Sequence, residues 1–296
     1  MTKNEICLCG LATVRARFER DAASIYRLFF DYETGRKIGA MCKALAAARK
    51  IYRCVEPAEL EKIAGTVHHG GIVAVVAASK LRPPTAAEIA VWAARHAPVL
   101  LLDRIGNAHN LGAIARTAAF FGVEHIVLPA HPGAALPNEA AHRVAEGGLE
   151  QLALWRVPDL AAFCRELAAA GYETVGAAVR EGGRTEGLKE GLRRQESGAR
   201  SQELGVGGRG GESKIQTPKS KFQSPRPVAL VLGNEEQGLA PDVAAACGRL
   251  VTIPGSGRME SLNVSAAAAV LLHTLLTGTK RASSGHEKSS GQPIQS

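Results

Sequence analysis

Three short segments of the chain combine glycine with asparagine, glutamate, serine and arginine, residue types that bind small ligands and orient hydroxyl groups. The first segment, residues 103–116, contains Asn110, Gly112 and Arg116. Asn110 is placed to cap a helix, and Gly112 permits close backbone approach in the first turn. Arg116 is expected about two turns into this helix, near its apolar side. Taken alone, Arg116 is better explained as a solvated or snorkelling arginine than as a catalytic one.

The second segment, residues 228–239, is an apolar strand that runs into a polar loop bounded by Gly233 and Gly238. Open α/β sheets bind ligands at the carboxyl ends of their strands. Glycines at that place let backbone groups face a ligand, and the Glu235 carboxylate could position a ribose or a hydroxyl. The segment is neither a G-x-G-x-x-G fingerprint nor a P-loop, which argues against a dehydrogenase or another nucleotide-dependent enzyme.

The third segment, residues 253–266, contains a strand end at Ile253, a tight glycine loop and an Ala/Val/Leu helix from near Leu262. Ser261 is predicted to be the N-cap of that helix. For Ser261 and Asn263 taken alone, ordinary helix capping is the better explanation. The three segments carry a functional prediction only when they are considered together.

The elements around these segments predict an α/β protein. In residues 98–279 strands alternate with helices, which is typical of a mostly parallel sheet covered on both faces. The predicted strands are residues 99–103, 125–128, 174–179, 228–233 and 250–253. The predicted helices lie near residues 111–121, 158–170, 241–247 and 262–277.

Residues 1–79 are predicted to form a smaller α/β unit, and residues 80–97 an interdomain linker that begins Lys-Leu-Arg-Pro-Pro. The strands of the small unit are predicted at residues 6–11, 26–31, 51–55 and 71–78. Its helical segments are predicted at residues 14–18, 22–25, 39–48 and 57–63. Residues 181–225 and 280–296 contain few large apolar side chains, so both are predicted to be disordered.

The composition of the chain is basic, which raises the question of a polyanionic partner. Its 296 residues carry a formal net charge of +8, with a sequence pI of about 9.3. RNA or DNA binding and a merely basic surface are about equally good explanations of that charge alone. The six cysteines contain no C-x-x-C pair, so a zinc site is not expected. We expect buried, reduced thiols instead. No leader and no membrane-spanning run is predicted, which favours a cytoplasmic protein.

In this order and spacing, the three segments resemble the signature motifs of the SpoU (TrmH-type) RNA ribose methyltransferases of the SPOUT superfamily. The first motif of that family, N-x-G-x-x-x-R, is matched by Asn110, Gly112 and Arg116. The second, G-N/T-E-x-x-G, is matched by residues 233–238, and the third, I-P followed by S-L-N-V-S, by residues 253–254 and 261–265. The N-terminal unit resembles, more loosely, the ribosomal-protein-like substrate-binding domain that is often fused to this family.

This resemblance implies a mostly parallel α/β sheet with a C-terminal trefoil knot, a homodimer, and methylation of a ribose 2′-hydroxyl in ribosomal or transfer RNA, with ribosomal RNA slightly favoured. It implies S-adenosylmethionine as the cofactor and no metal. The implied cofactor-binding residues are Leu232, Gly233, Gly238, Ile253 and Leu262. The implied catalytic residues are Asn110, Arg116, Glu235, Ser261 and Asn263.

Two departures from the family pattern bear on this prediction. Gly255 stands where the family often has a methionine, and residues 181–225 replace a short connection. An alternative is a catalytically silent RNA-binding or ribosome assembly factor on the same fold, although the five predicted catalytic residues argue against it. A small-molecule methyltransferase is disfavoured because it would not require a separate basic domain.

Overall fold

The computed structural model describes residues 5–178, 226–256, 258–259 and 261–276. The segments predicted to be disordered, residues 181–225 and 280–296, lie outside the described residues.

The N-terminal unit is built on a mixed four-stranded sheet with the order β1-β4-β2-β3. Its strands are β1 (Glu5–Cys9), β2 (Ile25–Phe30), β3 (Ile51–Cys54) and β4 (Ile72–Ala77). Strand β4 pairs antiparallel with β1 and β2, whereas β2 and β3 are parallel. All four predicted strands are confirmed, and β3 forms an exposed edge.

Four helices accompany this sheet and bury an apolar core on each of its faces. They are α1 (Leu11–Asp21), α2 (Tyr32–Gly35), α3 (Gly39–Ala47) and α4 (Pro57–Ala64). Proline at the first position of α4 suits a helix start, because its missing N–H would be unpaired there. The sequence predicted two short helical segments, at residues 14–18 and 22–25. The structure instead has one long helix, α1, followed by a 3₁₀ turn at Ala22–Ser24.

The second sheet has six strands in the order β10-β8-β9-β5-β6-β7, and every pairing is parallel. Its strands are β5 (Val99–Leu102), β6 (His125–Pro129), β7 (Ala153–Val157), β8 (Glu173–Ala177), β9 (Val228–Leu232) and β10 (Arg249–Val251). The central strands β5 and β9 are buried throughout, as expected for a sheet covered on both faces. The α/β prediction is confirmed; β7 was missed because its residues do not form a continuous apolar run.

Helices cover both faces of this sheet. They are α5 (Ala86–Ala94), α6 (Ala108–Phe120), α7 (Glu139–Ala145), α8 (Leu160–Ala169), α9 (Pro241–Ala246) and α10 (Val264–Leu276). Helix α5 lies within the predicted linker, begins with a capping box of Thr85 and Glu88, and buries Ile89 and Trp92 against the sheet. Residues 86–94 are therefore packed structure rather than an extended connection.

The N-terminal unit is attached to the larger sheet domain by buried polar contacts. Arg17 on α1 donates a hydrogen bond to Glu150, and both side chains are largely buried. His142 on α7 lies 3.2 Å from the same carboxylate. Arg20 donates to the carbonyls of Leu149, Glu150 and Leu152. Helix α1 is thus bonded to the turn that follows α7.

All six cysteines are free. Burial raises the pKa of Cys7 to about 11 and that of Cys9 to about 12, so both thiols are protonated near neutral pH. Within the described ranges, no helix is long and apolar enough to cross a lipid bilayer.

Candidate functional site

A cavity of about 680 Å³ opens at the carboxyl end of β8, β9 and β10. Its floor is formed by the strand ends around Ala177, Leu232 and Val251, and its wall by residues 252–256 together with Met259, Ser261 and Leu262. The cavity lies at the edge of the sheet where the sequence predicts a ligand site.

The polar loop after β9 forms one side of the cavity and is tightly closed. Asn234 and Gly238 exchange backbone hydrogen bonds of 3.0 and 2.9 Å. A Cβ atom on Gly233 would lie 2.4 Å from the carbonyl group of Gly238. Position 233 must therefore be glycine for the loop to close, and the close approach shapes the cavity wall.

Glu235 in this loop is connected to helices α6 and α10 by a chain of hydrogen bonds. Asn110 donates its Nδ2 hydrogen to Oε1 of Glu235 in a short contact. Asn263 donates to Oδ1 of Asn110 over 3.2 Å, and Ser265 Oγ donates to Oδ1 of Asn263 over 2.6 Å. Every donor in this series of hydrogen bonds is directed toward the Glu235 carboxylate. Asn263, Asn110 and Glu235, from three segments that are far apart in the sequence, therefore meet as the motifs predict.

Two capping predictions are wrong. Helix α6 is capped by Asn107, which accepts from the amide of His109, so the side chain of Asn110 is free to reach Glu235. Helix α10 begins at Val264, and Asn263 rather than Ser261 accepts the amide hydrogen of Ser265. Ser261 instead is exposed and lines the cavity.

Arg116 lies on the exposed side of α6 rather than near its apolar side. Its Nη1 is 2.9 Å from Oε1 of Glu146, and the two side chains are 57% and 59% exposed. Gly112, one turn earlier, packs against α7 so closely that a Cβ atom would lie 2.4 Å from the carbonyl oxygen of Ala141. Arg116 does not line the cavity of its own chain.

All five predicted cofactor-binding residues line the cavity: Leu232, Gly233, Gly238, Ile253 and Leu262. Of the predicted catalytic residues, Glu235 and Ser261 also line it, whereas Asn110 and Asn263 reach it through Glu235. Open space lies beyond Gly255, and Met259 lines the same cavity.

Several residues of the site were missed by the sequence prediction. Ser265 extends the hydrogen-bond chain, and it could have been found because it closes the third motif. Asp103 is buried and accepts from the amide of Ala240 over 2.6 Å. Arg104 contacts the loop of Glu235 from the other side. For Asp103 and Arg104 no periodicity or spacing gave a signal, because their partners lie more than 130 residues away.

Two family models match this chain. The SpoU rRNA Methylase family matches residues 97–273, and the domain described as RNA 2′-O ribose methyltransferase substrate binding matches residues 7–82.

Curated proteins and solved structures agree with that match. The chain is 30% identical over 264 residues to the uncharacterized tRNA/rRNA methyltransferase YfiF of Escherichia coli O157:H7, covering 89% of this chain and 65% of that protein. It therefore spans slightly less than two thirds of that relative. It is 29% identical to the 23S rRNA (guanosine-2′-O-)-methyltransferase RlmB of Nitrosomonas europaea, covering 93% of both chains. An AdoMet-bound rRNA methyltransferase of Sinorhizobium meliloti has the same fold, with a TM-score of 0.65 at 19% identity, covering 92% of this chain and 87% of that one.

Proposed function

Because the chain belongs to the SpoU rRNA Methylase family, we propose that it transfers a methyl group from S-adenosylmethionine to a ribose 2′-hydroxyl of RNA. Ribosomal RNA is the favoured substrate over transfer RNA, because the curated relative RlmB acts on 23S rRNA by name. The observation that carries the proposal is the hydrogen-bond chain from Asn263 through Asn110 to Glu235 beside the cavity.

The cavity fits S-adenosylmethionine in size and in the character of its lining. Its volume of about 680 Å³ falls within the range of about 300–1,000 Å³ that is usual for small-molecule sites. Leu232, Ile253 and Leu262 provide apolar surface, while Gly233 and Gly238 expose backbone groups. When bound, the cofactor supplies an electrophilic methyl group on a sulfonium, so the reaction needs no metal ion.

The chain's own residues must align and activate the ribose hydroxyl, which is a poor nucleophile. Asn110 engages one oxygen of the Glu235 carboxylate and orients it, which leaves the second oxygen to accept the hydroxyl proton. Ser261 holds the ribose, and Asn263 holds Asn110. The guanidinium of Arg116 stabilises the negative charge that develops on the ribose oxygen.

We propose that residues 1–79 bind the RNA, that residues 80–97 connect the two units, and that residues 98–279 bind the cofactor. A basic and aromatic surface at the sheet edge supports the first assignment. Tyr52 and Arg53 on β3 are exposed, and Lys50 lies 5.5 Å above the ring of the exposed Tyr26. Cations beside exposed aromatic rings suit phosphates and unpaired bases.

We also propose a homodimer in which Arg116 of one protomer serves the cavity of its partner. Two observations support it: Arg116 does not line the cavity of its own chain, and apolar side chains are exposed on α6 and α10. Phe120 is 83% exposed and Val270 is 43% exposed. The chain after β10 is proposed to form the trefoil knot of the family, and the protein to act in the cytoplasm, where its RNA substrates are.

The test is methyl transfer from labelled S-adenosylmethionine into total cellular RNA, with digestion of the product to nucleosides. We expect the label in a 2′-O-methylated nucleoside of ribosomal RNA, and its loss in Arg116→Ala. Label on a base would contradict the proposed chemistry. Cofactor binding without any transfer would favour the silent RNA-binding alternative.

A further inference from the structure

Arg104 has a backbone conformation that arginine rarely adopts. It follows Asp103 at the end of β5, and its φ of 55° lies in the left-handed region that favours glycine. Non-glycine residues persist in such a conformation where the surrounding structure holds them, and they cluster at functional sites. The contacts of Arg104 show what this conformation achieves.

The Arg104 guanidinium is directed at the outer side of the 234–238 loop. Its Nη1 donates to the side-chain oxygen of Gln237 over 2.9 Å, and its Nη2 donates to the carbonyl of Gly238 over 3.0 Å. Its own carbonyl accepts from Nδ2 of Asn234 over 3.3 Å. Both ends of the loop are thus bonded to this one residue.

The same loop faces the cavity with its inner side. Gly233, Glu235 and Gly238 line the cavity, whereas the side chain of Arg104 lies behind them. The neighbouring Asp103 bonds the amide of Ala240 and so holds the chain where it leaves the loop. Arg104 touches the cavity only through the loop, which makes it a supporting residue rather than a catalytic one.

We propose that Arg104 is a positioning residue that holds the 234–238 loop in the conformation that binds the cofactor and presents Glu235, an inference that rests on the proposed function of this cavity. Without the guanidinium, the closing bonds between Asn234 and Gly238 remain, but the loop loses its support from β5. Its binding-competent fraction then falls, and the apparent affinity falls by the same factor.

The variant Arg104→Gly separates the side chain from the backbone. Glycine adopts a φ of 55° without strain and keeps the carbonyl that accepts from Asn234, so the variant removes only the guanidinium, with its bonds to Gln237 and Gly238 and its 3.5 Å contact with Asp103. Arg49→Gly is the matched control, because Arg49 is exposed at a φ of 54° in the N-terminal unit, remote from the cavity. Arg104→Lys keeps the charge but cannot bond Gln237 and Gly238 as a fork.

Two measurements test the role of Arg104. Hydrogen exchange of the Gly238 amide, measured without cofactor, is expected to be about tenfold faster in Arg104→Gly than in the wild type or in Arg49→Gly. The Kd for S-adenosylmethionine is expected to rise about tenfold in Arg104→Gly and less in Arg104→Lys, while kcat at saturating cofactor stays within about twofold.

Unchanged exchange at Gly238 in Arg104→Gly would overturn the positioning role. So would an unchanged Kd for S-adenosylmethionine in Arg104→Gly. Failure of the proposed function has a different signature, because the wild-type protein itself would then not bind S-adenosylmethionine, while the exchange measurement would still decide the role of Arg104.

Discussion

The carboxylate of Glu146 lies 2.9 Å from the guanidinium of Arg116, and both side chains are more than half exposed. Exposed ion pairs contribute about 0–1 kcal/mol, because water and salt screen them. The pair therefore holds Arg116 only weakly, and under the proposed function an RNA phosphate or a developing alkoxide would replace Glu146 as its partner.

Arg116→Ala is expected to lower kcat about 100- to 1,000-fold, the usual cost of removing one group that stabilises a developing oxyanion. The Kd for S-adenosylmethionine should stay unchanged, because Arg116 does not line the cavity of its own chain and its proposed role in the partner's cavity is toward the ribose oxygen. Single-turnover methylation and calorimetric cofactor titration measure the two quantities. The matched control is Glu146→Ala, which should change kcat by less than about fivefold. A loss in Glu146→Ala as large as in Arg116→Ala would contradict the weak pairing.

Asn263→Ala removes the donor that orients Asn110 and is expected to lower kcat about 10- to 100-fold. Cofactor affinity should be retained, since neither asparagine lines the cavity. Ser265→Ala removes only the hydroxyl that donates to Asn263 and should have a smaller effect. The measurement is kcat at saturating cofactor and RNA. Equal kcat in the wild type and Asn263→Ala would show that the hydrogen-bond chain does not contribute to the reaction.

Tyr52→Ala is expected to weaken RNA binding about 5- to 100-fold, the range for loss of one base–aromatic stack. Arg53→Gln should lower the slope of log affinity against log salt by about 1, as expected for one phosphate contact. Filter binding of ribosomal RNA fragments over a range of salt concentrations measures both. Arg165→Gln, an exposed arginine on α8, is the charge-matched control. The surface on β3 is not an RNA-binding surface if Arg165→Gln and Arg53→Gln reduce binding equally.

Arg17→Met is expected to lower the free energy of unfolding by about 3 kcal/mol or more, because it leaves the buried Glu150 carboxylate without its main cation. Denaturant unfolding measures the change. The double variant Arg17→Met/Glu150→Leu should recover most of the loss, since no unpaired buried carboxylate remains. Arg15→Met, on the exposed side of the same helix, should change stability by less than about 0.5 kcal/mol. An unchanged free energy of unfolding in Arg17→Met would contradict a stabilising role of the buried pair between Arg17 and Glu150.

The same carboxylate predicts how stability depends on pH. Burial raises the pKa of Glu150. The hydrogen bond with His142 and the charge of Arg17 together lower it by more than burial raises it, so the pKa lies below its ordinary value of 4.5. The stabilisation is therefore complete above about pH 4.5 and is lost as the pH falls through the lower folded-state pKa. Thermal unfolding between pH 6 and pH 3 should be less pH-dependent in the double variant.

The sequence predicted the strands of both sheets best where apolar residues formed continuous or alternating runs. The run at β9 was placed correctly because a central parallel strand is buried on both faces. The sequence did not predict strand β7, because its residues Ala153–Val157 include Trp155 and Arg156 and are mostly half-buried. Helix α7 is short, and its apolar residues are mainly alanine, so its periodicity is weak.

At the site, Asn110, Glu235 and Asn263 from the three motifs meet, whereas Arg116 does not join them. Asn110 was predicted to cap helix α6, but Asn107, an equally good capping residue three positions earlier, is the cap. Arg116 was expected near the apolar side of α6, whereas its side chain is exposed, as in the alternative of a solvated arginine. Such outcomes depend on how two helices pack, and a single helix sequence does not contain that information.

The contacts of Arg17 and Arg20 with the turn after α7 have a consequence for substrate choice. An RNA-binding domain on a flexible linker lies at many different distances from the active site, and it therefore accepts RNAs of many shapes. Here helix α1 is bonded to the same turn that carries Glu146, so the separation is set by the protein. If residues 1–79 bind the RNA as proposed, a target nucleotide would be selected by its distance from the part of the RNA that this unit holds.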